Sequence, residues 1–374
     1  MADPVDGFDF PAVVIDNGSG TCRVGFAGED HCVAVFSSVV GKPLSMVPLS
    51  RGEYIGDHAQ RKRDLLSIRY PIEHGIVADW DGMEKVWSYA LSNKLHASPD
   101  LNPILMSEAP LNPKANREKM AQVMFEKFNA TAFYVANQAV LSHFSSGTTS
   151  LLVVDIGDGV IDVMPIYQSH IIRRGVQRVD FGGRNLTDYL MRLLSNQGYS
   201  FTTTADRELL REIKEKFGAV AMDYEHQTLS DKCSPIFYEY GDDQFIKLGR
   251  ERYQVAEPLF RPSLLGLPSP GIHELIYDSI MKSDVDCRKD LYKYIYLSGG
   301  STLFEGFADR LRKELAELAP AAVNITVKPA DDRDAAVWIG GSIMASIARM
   351  EGMWVRREEY EEYGPNIVHQ KCVN

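Results

Sequence analysis

Cysteine is scarce in this 374-residue chain. There are five, Cys22, Cys32, Cys233, Cys287 and Cys372, scattered and without a C-x-x-C pair. That excludes a disulfide framework and a cysteine zinc site, and it points to a reducing compartment. Long apolar runs are missing too: none approaches the ~18 residues that cross a bilayer, so no membrane span is expected. Met1-Ala2-Asp3-Pro4 has neither the basic nor the apolar region of a secretory signal, and none is expected. Positive charge is in deficit, with 40 Lys and Arg against 51 Asp and Glu, a net charge of -11. A phosphate backbone repels such a chain, which argues against nucleic acid as a partner. Low-complexity tracts and a flexible interdomain linker are also lacking. What remains is a globular composition, 45% hydrophobic and 24% charged, with a length that suits two domains.

The positive signal lies in two short patterns. Ala12-Val13-Val14-Ile15 is an apolar, largely β-branched run that ends in Asp16-Asn17-Gly18-Ser19-Gly20, and Val24 to Phe26 can return as a second strand. Leu151-Leu152-Val153-Val154 likewise ends in Asp155-Ile156-Gly157-Asp158-Gly159, followed by a strand from Ile161 to Ile166. Each reads as a β-hairpin with a Gly-rich turn. Between and beyond them, helical periodicity covers 84–95, 116–128, 186–194, 206–220, 304–318 and 335–350. Alternating strands and helices around a duplicated hairpin predict an α/β fold of two related lobes.

Glycine in such a turn lets backbone N–H groups approach phosphate oxygens, and Ser19 adds a hydroxyl. An Asp beside the turn orients the waters that Mg²⁺ keeps. Taken singly, each D-x-G-x-G is no more than an ordinary hairpin turn. Leu297-Ser298-Gly299-Gly300-Ser301-Thr302 follows an apolar run and is expected to open a helix, which fits either a phosphate at a helix N-terminus or a close packing turn. Lys214 and Glu215 read as part of a solvated, charged helix face.

These three loops, in this order, resemble the actin family. So do Gly25-Phe26-Ala27-Gly28, Tyr70-Pro71-Ile72-Glu73-His74-Gly75, the stretch Glu108 to Glu118, Gly198-Tyr199-Ser200-Phe201-Thr202-Thr203-Thr204 and Trp338-Ile339-Gly340-Gly341-Ser342-Ile343. The resemblance runs from about residue 11 to Cys372. It implies a two-lobed actin-like ATPase fold, built from duplicated ribonuclease H-like domains, with ATP or ADP and Mg²⁺ (or Ca²⁺) in the cleft between lobes. The first lobe would be 1–145 with 338–374, its exposed small part about 37–69. The second would be 146–337, its small part about 182–269. The implied partners are further copies of the chain, in filaments, and actin-binding proteins. The implied location is the cytoplasm and cytoskeleton, with a nuclear pool also open.

Carried over residue by residue, the nucleotide contacts fall on Gly18, Ser19, Gly20, Arg23, Asp158, Gly159, Gly183, Lys214, Glu215, Gly300, Ser301 and Phe304. The cation would be held, mostly through water, by Asp16, Gln138 and Asp158. Catalysis would fall on Gln138, Asp158 and Asp162. Several positions depart from the family pattern. Ile161 and Asp162 stand where actins have Thr and a water-arranging His, Ile156 stands for a Ser, and Arg23 for a Lys. Phe304 stands for the usual Tyr near the base, and Asp334 reverses the charge of a Lys on the adenine side. Thr148 takes an Arg position near the hinge. The segment Pro43 to Tyr54, which resembles the exposed longitudinal loop, is several residues shorter. Gly266 to Pro270 is a stiffer plug loop. The N-terminal acids Asp3, Asp6 and Asp9 are dispersed, and the chain ends in Asn374 rather than an aromatic residue. These changes fit a divergent actin or an actin-related, centractin-like protein with slow ATP hydrolysis. A non-polymerising subunit of a larger complex and a phosphotransferase of the same fold are the rivals.

Overall fold

A computed structural model describes residues 8, 10–44, 52–229, 234–240, 244–347, 350 and 352–372. Asp3, Asp6, Asp9, Cys233, Asn374 and most of the segment between Pro43 and Tyr54 lie outside them. The chain divides into two units, Met1–Thr149 with Ala330–Asn374, and Ser150–Pro329.

In the first unit the expected hairpin forms from β1 (Val13–Asn17) and β2 (Thr21–Phe26), and β3 (Ala34–Ser37) adds to its edge. A small sheet holds β4 (Val40–Pro43), β5 (Tyr54–Ile55) and β6 (Leu66–Arg69), and β7 (Ile72–Glu73) pairs with β8 (Ile76–Val77). The strands β9 (Ile104–Glu108) and β10 (Ala132–Asn137) run parallel to β1, and β19 (Val355–Arg356) closes the far edge. The sheet order is β19-β10-β9-β1-β2-β3. Strands β1, β9 and β10 are buried along their whole length, the mark of central strands covered on both faces.

The second unit repeats the core of this plan. β11 (Leu151–Ile156) and β12 (Ile161–Tyr167) form the hairpin, with β13 (His170–Ile171) and β14 (Gln177–Val179) against β12. A separate ribbon pairs β15 (Ile236–Glu239) with β16 (Phe245–Leu248). β17 (Ile295–Ser298) lies parallel to β11, and β18 (Val327–Pro329) extends the sheet. In each unit a hairpin is therefore flanked by one parallel strand that ends level with its turn.

The helices fall close to their expected places, with informative offsets. Helix 114–126 starts after Pro113, and helix 204–217 starts at a capping box between Thr203 and Asp206. The helix expected over 84–95 starts at Trp80, where the Asp79 carboxylate caps the Gly82 N–H, and it passes into a π-helical turn from Tyr89. Gly299-Gly300 does not open a helix: it leads into a 3-10 turn, Gly300–Leu303, and the helix begins at Phe307. Gly299 and Gly306 have φ of 86° and 81°, values that break helical continuity on either side of that turn. The last long helix, Ala336–Ala345, is shorter than expected and packs its glycines on helix Gln138–Ser146 and on β1.

Candidate nucleotide-binding half-sites

In the first unit, the Asp16 carboxylate accepts hydrogen bonds from Ser107 Oγ at 2.7 Å and Gln138 Nε2 at 3.2 Å. Ser107 sits near the end of the parallel strand β9, and Gln138 opens the helix after β10. Burial raises the Asp16 pKa, while Arg23, Ser107 and Gln138 pull it back. Asn17 is fixed as firmly. Its N–H donates to Ser107 Oγ at 2.8 Å, and its side-chain oxygen accepts from Trp87 Nε1 at 2.9 Å. The turn itself needs glycine at 18, because a Cβ there would lie 2.4 Å from the Thr21 carbonyl oxygen. The Gly20 carbonyl accepts from the Ser38 N–H. Ser19 Oγ accepts from the Gly75 N–H at 2.9 Å, tying the turn to the β7–β8 hairpin, where His74 and Gly75 both take positive φ. His74 is half-buried. Arg23, opposite Asp16 on the ladder, pairs with Asp334 at 2.8 Å.

In the second unit, Asp155 accepts from Ser298 Oγ at the end of β17. This repeats the Asp16–Ser107 arrangement at the equivalent place: an acid on the hairpin's first strand, latched by a serine from the parallel neighbour. Asp158 accepts from Arg184 Nε at 3.1 Å, and its backbone carbonyl accepts from the Arg184 N–H. The Gly157 carbonyl accepts from the Gly183 N–H at 3.0 Å and from Ser301 Oγ at 2.9 Å. Gly183 is the centre of this cluster. A Cβ there would stand 2.8 Å from Ser301 Oγ, 3.1 Å from Lys214 Nζ and 3.4 Å from Asp158 Oδ1. Lys214 is buried, donates to the Gly183 carbonyl at 2.7 Å, and has its pKa lowered by burial. Gly157, Asp158, Gly183, Lys214 and Ser301 thus come together in the unit. Glu215, one step round the helix, stays 57% exposed beside Arg211. Gly300 is exposed with open space around it, and Phe304 packs its ring on Gly218.

Asp162 is in a different situation from the other acids. It is 2% exposed, stands opposite Asp155 on one neighbour and Arg178 on the other, and its Oδ1 has no hydrogen-bond partner. Burial first, then the Asp155 charge, push its pKa well above the carboxylate range, and Arg178 opposes the rise. The stability consequence has a definite sign. The folded value lies above the unfolded one, so stability falls as pH climbs from about 4 towards the folded value, by up to ~1.4 kcal/mol per pH unit. Asp162→Asn should abolish that slope. Denaturant unfolding across this range should show the variant gaining on the wild type as pH rises, and parallel profiles would refute the assignment.

Each unit, taken by itself, has features that suit a nucleotide or a hydrated divalent cation. Both offer fixed carboxylates, glycines where no Cβ fits, and turns closed by backbone hydrogen bonds. Among the described residues, no group of three or more His, Cys, Asp or Glu side chains gathers to hold a bare metal ion. No helix among them is long and apolar enough to cross a membrane. Asp155 was read from the sequence as the acid opening the second loop, whereas Ser107, Ser298 and Arg184 were not singled out as site residues. The two serines become partners of the acids only through the parallel pairing of β9 with β1 and of β17 with β11. A family model described as Actin matches residues 7–373.

Proposed function

Since the chain belongs to the actin family, we propose that it is an ATP-binding cytoskeletal protein that assembles into actin-like filaments and hydrolyses ATP slowly as it does so. The observation that carries this reading is the duplicated latch, Asp16 with Ser107 and Asp155 with Ser298, each beside a glycine turn. When bound, the divalent cation would neutralise the nucleotide's phosphates. Asp16, Gln138 and Asp158 would orient the waters around it. The backbone of 18–20 and 157–159, with Ser19, would receive phosphate oxygens. Gly183, Lys214 and Ser301 would form the adenosine side, with Glu215 and Phe304 at its margin. Asp162, buried in the sheet between Asp155 and Arg178, stands where a water-arranging imidazole is usual, and this supports slow hydrolysis.

The shortened segment between β4 and β5 favours a second reading, an actin-related subunit that polymerises poorly or only with a partner. A smaller longitudinal contact buries less area, although area does not convert directly into affinity. Sedimentation of purified full-length protein with Mg-ATP and salt separates the two. The expected result is bound nucleotide and a pellet, with a critical concentration above that of muscle actin under the same conditions. A critical concentration as low as muscle actin's would show that the short segment does not limit assembly. No pellet at any concentration would select the non-polymerising reading, and failure to retain ATP or ADP would remove the nucleotide function.

A further inference from the structure

Arg23 leaves the β1–β2 turn with its guanidinium largely enclosed, the side chain being 11% exposed. Its Nη2 donates to Asp334 Oδ2 at 2.8 Å, and its Nη1 donates to Thr21 Oγ1 at 3.1 Å. Its Nε is buried with no acceptor. Asp334 comes from just before helix Ala336–Ala345 and is 45% exposed. Asp16 is the direct ladder partner of Arg23, directly opposed residues share a sheet face, and the Arg23 charge acts on the Asp16 carboxyl. One cation therefore serves two carboxylates, one buried on its own hairpin and one reaching in from near the far end of the chain.

We infer that Asp334 sets the phosphate affinity of the first half-site by occupying the Arg23 guanidinium as an internal anion. The inference rests on the ATP-binding reading and deepens it. A guanidinium meets an oxyanion through a planar fork of N–H donors, and a carboxylate and a phosphate compete for the same fork. The Asp334–Arg23 pair is partly shielded from water, so its charges are screened less than a surface pair's. An incoming polyphosphate then has two courses. It displaces Asp334 and forfeits that ion pair, or it binds beside Asp334 and meets a like charge. Both penalties act through Arg23, to which Asp334 is paired, and so fall on the phosphates. Asp334 is thus a specificity-determining residue that lowers the advantage of ATP and ADP over adenosine.

Asp334→Asn tests this, because it keeps the shape and an oxygen acceptor for Arg23 while removing the charge. Asp334→Glu keeps the charge as a control. Full-length wild-type and variant proteins would be titrated with ATP, ADP and adenosine at constant Mg²⁺, after melting curves confirm folding. Asp334→Asn should bind ATP and ADP on the order of tenfold more tightly, the size of one charged hydrogen bond gained or lost. Its adenosine affinity should be unchanged, and Asp334→Glu should resemble the wild type. ATP bound equally well by wild type and Asp334→Asn would overturn the inference alone. A gain shared by adenosine would also overturn it, by pointing to a general change in the fold. Absence of ATP binding in every protein would overturn both the inference and the nucleotide reading beneath it.

Discussion

Gly340→Ala should leave little folded protein. Helix Ala336–Ala345 crosses helix Gln138–Ser146 so closely that a Cβ at 340 would lie 1.7 Å from the Leu141 carbonyl oxygen. The obstacle is backbone, so no rotamer change relieves it, and the helices would have to part. They cannot part cheaply, because the same helix buries Trp338 completely, with its Nε1 donating to the Val14 carbonyl at 3.1 Å. Gly341 holds the next turn equally close, since a Cβ there would meet Val14 Cγ1 at 2.8 Å. Overpacking in cores costs roughly 1–3 kcal/mol when side chains can shift. A clash with backbone between two buried helices should exceed that and consume much of a domain's ~5–15 kcal/mol of stability. Gly352→Ala is the matched control, since nothing lies within 4 Å of the added Cβ and the glycine is not at positive φ. Thermal unfolding decides the matter. If Gly340→Ala melted alongside Gly352→Ala, the close crossing would not be essential.

Asp158→Ala should release bound Mg-ATP at least about tenfold faster than the wild type, the effect of losing one charged hydrogen-bond partner in a partly enclosed site. The Asp158 carboxylate is 19% exposed and clamped by Arg184 at 3.0 Å, with its other oxygen towards Gly183. Its removal takes away an acid that would order the cation's waters. It also leaves the Arg184 and Lys214 charges less compensated, since Asp158 is the main opposing charge acting on Lys214. Asp158→Asn, which keeps the shape, should fall between the two. Displacement of a fluorescent ATP analogue measures the rate. Unchanged release together with an unchanged melting temperature would remove Asp158 from the site.

Local patterns in the sequence were enough to find both hairpins, because β-branched runs stop at turns rich in glycine. The family resemblance then pointed to the residues around those turns. Three things were not legible, each for a physical reason. Positive φ at Gly299 and Gly306 decides that a 3-10 turn, not a helix, follows β17, and dihedral angles are not written in residue order. The latching serines come from parallel neighbours 91 and 143 residues from their acids, so only the paired sheet reveals them. Lys214 and Glu215 are adjacent in a charged run, yet a helix turns by roughly 100° per residue. One is buried against the Gly183 carbonyl as a result, and the other faces water.

The ladder register also separates the duplicated hairpins in charge. The partner of Asp16 is Arg23, whereas the partner of Asp155 is Asp162. The formal charge of -11 counts Asp162 as ionised. At a pH between its ordinary and its raised values, the folded chain retains a proton that the unfolded chain gives up. Unfolding therefore titrates the buffer as well as breaking the fold. Its calorimetric enthalpy at that pH should include the buffer's own heat of protonation, and acetate and a cationic amine buffer should return different heats for the same transition.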